Sequence, residues 1–226
     1  STLLASSAAS DVYKRQIVLV VVIIAAAAVV LYHSTYRFPA KFRILSDNSL
    51  GAAETEELKE DILAQSELKI LVAYFSYSGT TKEIAEEIAY RTDADLFEIV
   101  TKESYNDVYK EANSEIRFNK RPELSNVVSD MEQYDVIFIG YPVWWHATPA
   151  PVNTFIESYD LNGKLIIPFC TSGGSDIEET MPTFLDSCDG LAVYNGKTIS
   201  GTSELDDWFA ELKLPHKLSE NQIGKE

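Results

Sequence analysis

LKILVAYF-SYSGTT, residues 68–81, is the stretch that decides the fold. Leu68 to Phe75 is a near-continuous apolar run, the pattern of a parallel strand covered on both faces. Directly after it come Ser76, Tyr77, Ser78, Gly79, Thr80 and Thr81, four aliphatic hydroxyls and one glycine. Thr80 or Thr81 can cap a helix whose inner face carries Ile84, Ala85, Ile88 and Ala89. A strand, a hydroxyl-rich turn and a helix N-terminus together offer backbone N–H groups, hydroxyl donors and a positive helix end to one anion, most naturally a phosphate. The turn contains no lysine, so it is not the GxxxxGK(S/T) loop that grips triphosphates, and it lacks the GxGxxG of dinucleotide sites. A monophosphate held without a cation fits it, and so does a plain capped turn rich in Ser and Thr.

Outward from this unit, strand and helix patterns alternate to the end of the chain. Strands are expected at 96–100, 135–141, 164–169 and 191–199, with helices near 105–113, 151–159, 177–185 and 203–212. That alternation predicts an α/β fold, a doubly wound five-stranded parallel sheet with helices on both faces. Ligands of such sheets sit beyond the carboxyl ends of the strands, which directs attention to the loops after strands one, three and four.

The loop after strand three reads Tyr141-Pro142-Val143-Trp144-Trp145-His146-Ala147-Thr148-Pro149. Two adjacent tryptophans between prolines cannot both face one core, and large aromatics on stiff backbone suit a flat ring system. His146 reads as a rim residue, since the sequence shows no carboxylate partner for proton transfer. After strand four come Thr171, Ser172, Gly173, Gly174 and Ser175. The paired glycines let backbone approach a planar ligand, and Ser175 is placed to cap a helix.

In this order and spacing, S-Y-S-G-T-T, then G-Y-P-V-W-W, then P-F-C-T-S-G-G-S resembles the flavodoxin superfamily, in its branch with a P-x-W-W loop. The resemblance spans roughly Leu68 to Leu214. It implies a sheet in the order 2-1-3-4-5, a non-covalent FMN, and electron transfer through the flavin ring edge. Carried over by position, Ser76, Ser78, Gly79, Thr80 and Thr81, with Tyr77 among them, hold the phosphate. Pro142, Val143, Trp144 and Trp145 flank the isoalloxazine beside His146, and Thr171, Ser172, Gly173 and Gly174 line its pyrimidine side. Two departures stand out: the loop after strand four has no aromatic, and His146 occupies a place where a small residue is expected.

The rest of the chain bounds this reading. Of 226 residues 46% are hydrophobic, which suits one domain with an appendage. A net charge of −16, without a Lys/Arg-rich block or a Cys/His cluster, argues against nucleic acid and structural zinc and favours a partner with a basic docking surface. Cys170 and Cys188 read as two buried free thiols. Residues 1–16 resemble translated adapter sequence and carry no weight in the fold. Residues 17–32, beginning IVLVVVIIAAAAVVL, read as a membrane anchor in preference to a cleaved signal peptide. Basic residues on both sides give no vote on orientation. Residues 33–66 read as a polar acidic tether whose second half forms a short amphipathic helix, and residues 67–226 as the FMN-binding domain. The expected activity is that of a membrane-tethered electron-transfer protein. An FMN-dependent NAD(P)H:quinone or nitro-compound oxidoreductase is the alternative, and a binding module with a vestigial flavin site the third.

Overall fold

The computed structural model describes residues 2–217. The chain forms two compact units, Ser1–Phe42 and Arg43–Glu226.

The first unit is one long helix, α1 (Thr2–Arg37), followed by a short 3-10 turn, Pro39–Phe42. Nothing from residue 2 to 37 is Gly or Pro, so the helix runs on until Pro39 removes a backbone donor. Its stretch Val12–Arg37, 26 residues, is long and apolar enough to cross a membrane, as an anchor or a signal sequence would be.

In the second unit a parallel sheet is built from β1 (Ile70–Tyr74), β2 (Asp95–Glu98), β3 (Val136–Pro142), β4 (Leu165–Thr171), β5 (Ala192–Val193) and β6 (Lys197–Thr198). The order is β2-β1-β3-β4-β5, as expected, with β6 also on β4. Alternation sorts the central strands between two faces. Val72, Phe138 and Ile167 pack beneath α3 (Thr80–Thr92) and α7 (Leu205–Leu212). Leu71, Ile137 and Ile166 pack beneath α5 (Ala150–Glu157) and α6 (Met181–Leu185). Gly140 of β3 lies under the Phe169 ring of β4, so close that a Cβ there would sit 2.1 Å from the ring.

The fifth strand departs from the expected unbroken 191–199. Ile166 pairs with Val193 and Cys170 with Thr198, so four steps along β4 face five along the edge. Between them lies Pro168, and the carbonyls of Ile166 and Cys170 flanking it accept from Tyr194 and Ile199 on that same edge. Proline offers no N–H there, so the ladder lapses and one extra residue bulges out. Gly196 fits the bulge, where a Cβ would come within 2.8 Å of the Pro168 carbonyl.

Two helices also depart from expectation. The helix expected at 177–185 is a 3-10 turn, Ile177–Glu179, followed by α6, which Pro182 starts afresh in its first turn. Ser175 caps neither; the residues at those caps are Asp176 and Thr180. The helix after β2, α4 (Val108–Arg117), starts later than expected because Asp107 caps it, accepting from the Lys110 N–H at 3.2 Å.

The segment read as a tether is docked from Arg43 onward. Arg43 reaches the Ile116 carbonyl and Asp186, and the Ser46 N–H donates to Asp186. Leu50 and Gly190 complete two backbone bonds between this strap and the start of β5. The helix expected in its second half is α2 (Ala52–Leu63), whose Ile62 is buried in the core. Both cysteines are free and buried.

Candidate functional site

Three loops meet at the carboxyl edge of β1, β3 and β4, the edge indicated by the sequence. In the first, the Ser76 hydroxyl turns inward and accepts the N–H groups of Gly79 at 3.2 Å and Lys82 at 3.3 Å. Gly79 sits at φ +97°, a conformation that L side chains rarely adopt, with open space where a Cβ would stand. This folding leaves the N–H groups of Tyr77, Ser78, Thr80 and Thr81 without a hydrogen-bond partner among the described residues. Ser78 and Thr80, both exposed, hold their hydroxyls 3.4 Å apart beside these amides. Four amides, two hydroxyls and the start of α3 therefore form a seat for an anion with no cation in the loop. Thr81 contributes only its N–H: its hydroxyl is buried and bonded at 2.8 Å to that of Thr171, tying this loop to the end of β4.

In the second loop, the Val143 N–H donates to the Thr171 carbonyl at 3.0 Å. Trp144 and Ala147 then exchange two backbone bonds around a reversal whose central residues are Trp145 at φ +53° and His146 at φ +58°. Two successive positive φ values mark a type I′ hairpin turn, normally Asn-Gly. Left-handed backbone costs a non-glycine residue about 1–2 kcal/mol, so this turn is strained in a way the first loop is not. Trp144 is wedged edge-on against Phe75, Tyr77 and Tyr105 at centroid distances of 5.1, 5.9 and 5.5 Å. Trp145 lies edge-on to Tyr109 at 6.4 Å. Between them opens a groove of 270 Å³ bounded by Tyr77, Tyr109, Val143, Trp144 and Trp145, with Val108 and Ala112 of α4 as its floor.

The third loop repeats the device of the first. Ser172 accepts the N–H groups of Gly174 at 3.1 Å and Ser175 at 2.8 Å. Gly173 and Gly174 keep ordinary backbone angles, and a Cβ at either would touch nothing within 4 Å, so they keep that rim low.

Beyond the expected residues, the structure adds two groups. Tyr105 and Tyr109 come from a stretch that reads as polar; burial and the bond to Glu115 push the Tyr105 phenol well above its ordinary range. Glu179 supplies the carboxylate partner His146 was expected to lack: its Oε2 is in a short hydrogen bond with His146 Nδ1, and Ser175 Oγ lies 3.4 Å from the same nitrogen. That bond to His146 holds the Glu179 carboxyl below the usual carboxylate range. Beneath the site, burial pushes the Cys170 thiol up to about 11, which leaves it protonated and unreactive at neutral pH.

Comparison with known proteins follows this geometry. The family profile described as Flavodoxin matches residues 69–212. Among solved structures, a protein of Bacteroides eggerthii is 33% identical, with a TM-score of 0.61 over 65% of this chain and 99% of its own. A protein of Bacteroides uniformis is 32% identical, with a TM-score of 0.60 over 64% and 99%. A flavoprotein of Lactobacillus acidophilus, solved in complex with FMN, is 33% identical, with a TM-score of 0.53 over 63% and 99%. No curated protein matches the chain.

Proposed function

The chain belongs to the flavodoxin family, and on that premise we propose that its domain binds FMN and carries electrons, held at a membrane by α1. The observation that supports this most is the meeting, at one sheet edge, of an anion seat without a cation and a groove walled by aromatic rings. A riboflavin monophosphate has these two parts and little other charge. The residues fit it: the N–H groups of Tyr77, Ser78, Thr80 and Thr81, with the Ser78 and Thr80 hydroxyls, hold the phosphate. Pro142, Val143, Trp144, Trp145 and His146 stand along one side of the ring system, and Thr171, Ser172, Gly173 and Gly174 along the other. When bound, FMN supplies one- and two-electron redox chemistry. The chain's own part is to grip the phosphate, exclude water with Trp144 and Trp145, and present a low rim at the glycines. The chain's net charge of −16 suits a redox partner with a basic docking surface.

A second reading, an FMN-dependent oxidoreductase acting on quinones or nitro compounds with NAD(P)H, is favoured by one feature. The third loop carries no aromatic, and open space surrounds Gly173 and Gly174, which suits a second planar molecule.

Both readings are tested with the full chain in detergent, by visible absorption and titration with FMN. Flavin bands with tight binding are expected, and Ser78→Ala with Thr80→Ala weakens binding by tenfold or more, about the worth of one lost charge-assisted hydrogen bond. NAD(P)H oxidation by the loaded protein, with a quinone present, separates enzyme from carrier. A colourless protein that ignores FMN sinks both and leaves a tethered binding module.

A further inference from the structure

His146 and Glu179 lie 33 residues apart in sequence, on different loops, and are in contact, His146 directly following Trp145 of the groove wall. His146 belongs to the strained turn after β3, and Glu179 closes the 3-10 turn after β4. These are the two loops assigned above to opposite sides of the ring system. Deeper in, the loops are already joined by the Val143–Thr171 backbone bond, and Thr148 bonds to Thr180 and Thr183. At the outer edge, His146 Nδ1 meets Glu179 Oε2, with Ser175 Oγ 3.4 Å from the same nitrogen. His146 is held left-handed within a hairpin turn, at a cost glycine would not carry, and from that position it reaches the Glu179 carboxylate.

We infer that His146 and Glu179 form a clasp that draws the β3 turn against the β4 loop and so sets the width of the slot for the FMN ring. They are positioning residues. This rests on the FMN reading above and adds to it a residue pair that controls the grip on the ring rather than on the phosphate.

The test uses the full chain in detergent and has two readouts. In FMN-free protein at one pH, the imidazole signals are recorded by NMR, His146 being assigned with His146→Gln. Glu179→Gln is expected to shift the His146 signals and to leave those of His33 and His216 in place. In the second, FMN affinity is measured for wild type, His146→Gln, Glu179→Gln and the double variant. The expected coupling is about fivefold. Unmoved His146 signals overturn the clasp whether or not FMN binds. Moved signals with additive effects on FMN affinity overturn its role in holding the ring. If the signals move but no variant, wild type included, binds FMN, the flavin reading itself has failed and the slot-width role falls with it.

Discussion

The two arms of the site solve the same backbone problem in opposite ways. The first loop and the turn after β3 each reverse the chain sharply at the end of a strand. The first places glycine at its single left-handed residue, Gly79, and needs only Ser76 to hold its shape. The second places Trp145 and His146 left-handed in succession and spends about 1–2 kcal/mol on each. A seat for a phosphate asks for small residues and exposed amides, which glycine and serine provide without strain. A wall for a ring asks for a large side chain at a fixed angle, and the turn supplies it at the expense of stability. The anion arm is relaxed; the ring arm is under tension.

Four changes break or sharpen that contrast. The largest effect is expected from Gly140→Ala, which forces β3 away from Phe169 and so disturbs the support of the turn and the third loop together. A loss of about 3 kcal/mol in denaturant unfolding is expected; loss of the turn alone, with an unchanged global midpoint, would show that the ring arm has its own support. Next is Gly79→Ala, where nothing clashes and only the backbone resists, at about 2 kcal/mol. It should also weaken FMN binding by moving the amides. Third, Trp145→Asn with His146→Gly supplies the residues a type I′ turn prefers and should raise stability by about 1 kcal/mol while lowering FMN affinity. Stability that falls instead would refute the tension in this arm. Last, with no effect expected on FMN, is Thr81→Val, which leaves the Thr171 hydroxyl unpaired and should cost about 1 kcal/mol in unfolding. Adding Thr171→Val should recover most of it, and the affinity for FMN should stay within about twofold of wild type.

Much of this was legible in the sequence, and the failures have a common cause. The strand–helix alternation, the hydroxyl loop and the aromatic turn are local or periodic features, and 68–81, 141–149 and 171–175 placed the loops; the strand order came only through the family resemblance. What could not be read involves partners distant in the chain. Pro168 interrupts a neighbouring strand, not its own, so 191–199 looks unbroken until the two are paired. Glu179 is an ordinary acidic residue until the fold brings it to His146. Tyr105 and Tyr109 lie in a polar stretch, and only the docking of α4 turns them to the tryptophans. Likewise, 43–63 has the composition of a tether, and its attachment depends on Asp186 and Leu191, well over a hundred residues away. The signals present were Arg43, the last basic residue ahead of an acidic stretch, and Ile62 on the apolar side of α2.

That strap has a mechanical consequence. Arg43, where the domain begins, is pinned to Ile116 at the end of α4 and to Asp186 just before β5. Both positions belong to the pole where the strands start, and the three loops lie where they end. A load drawn through the N-terminal side of Arg43 enters the domain at its base and is first met by the Arg43–Asp186 pair and the two backbone bonds of Asn48 and Leu50. The strap can yield like a fuse before the pull reaches β1, so the geometry of the loops is insulated from forces on the N-terminal end.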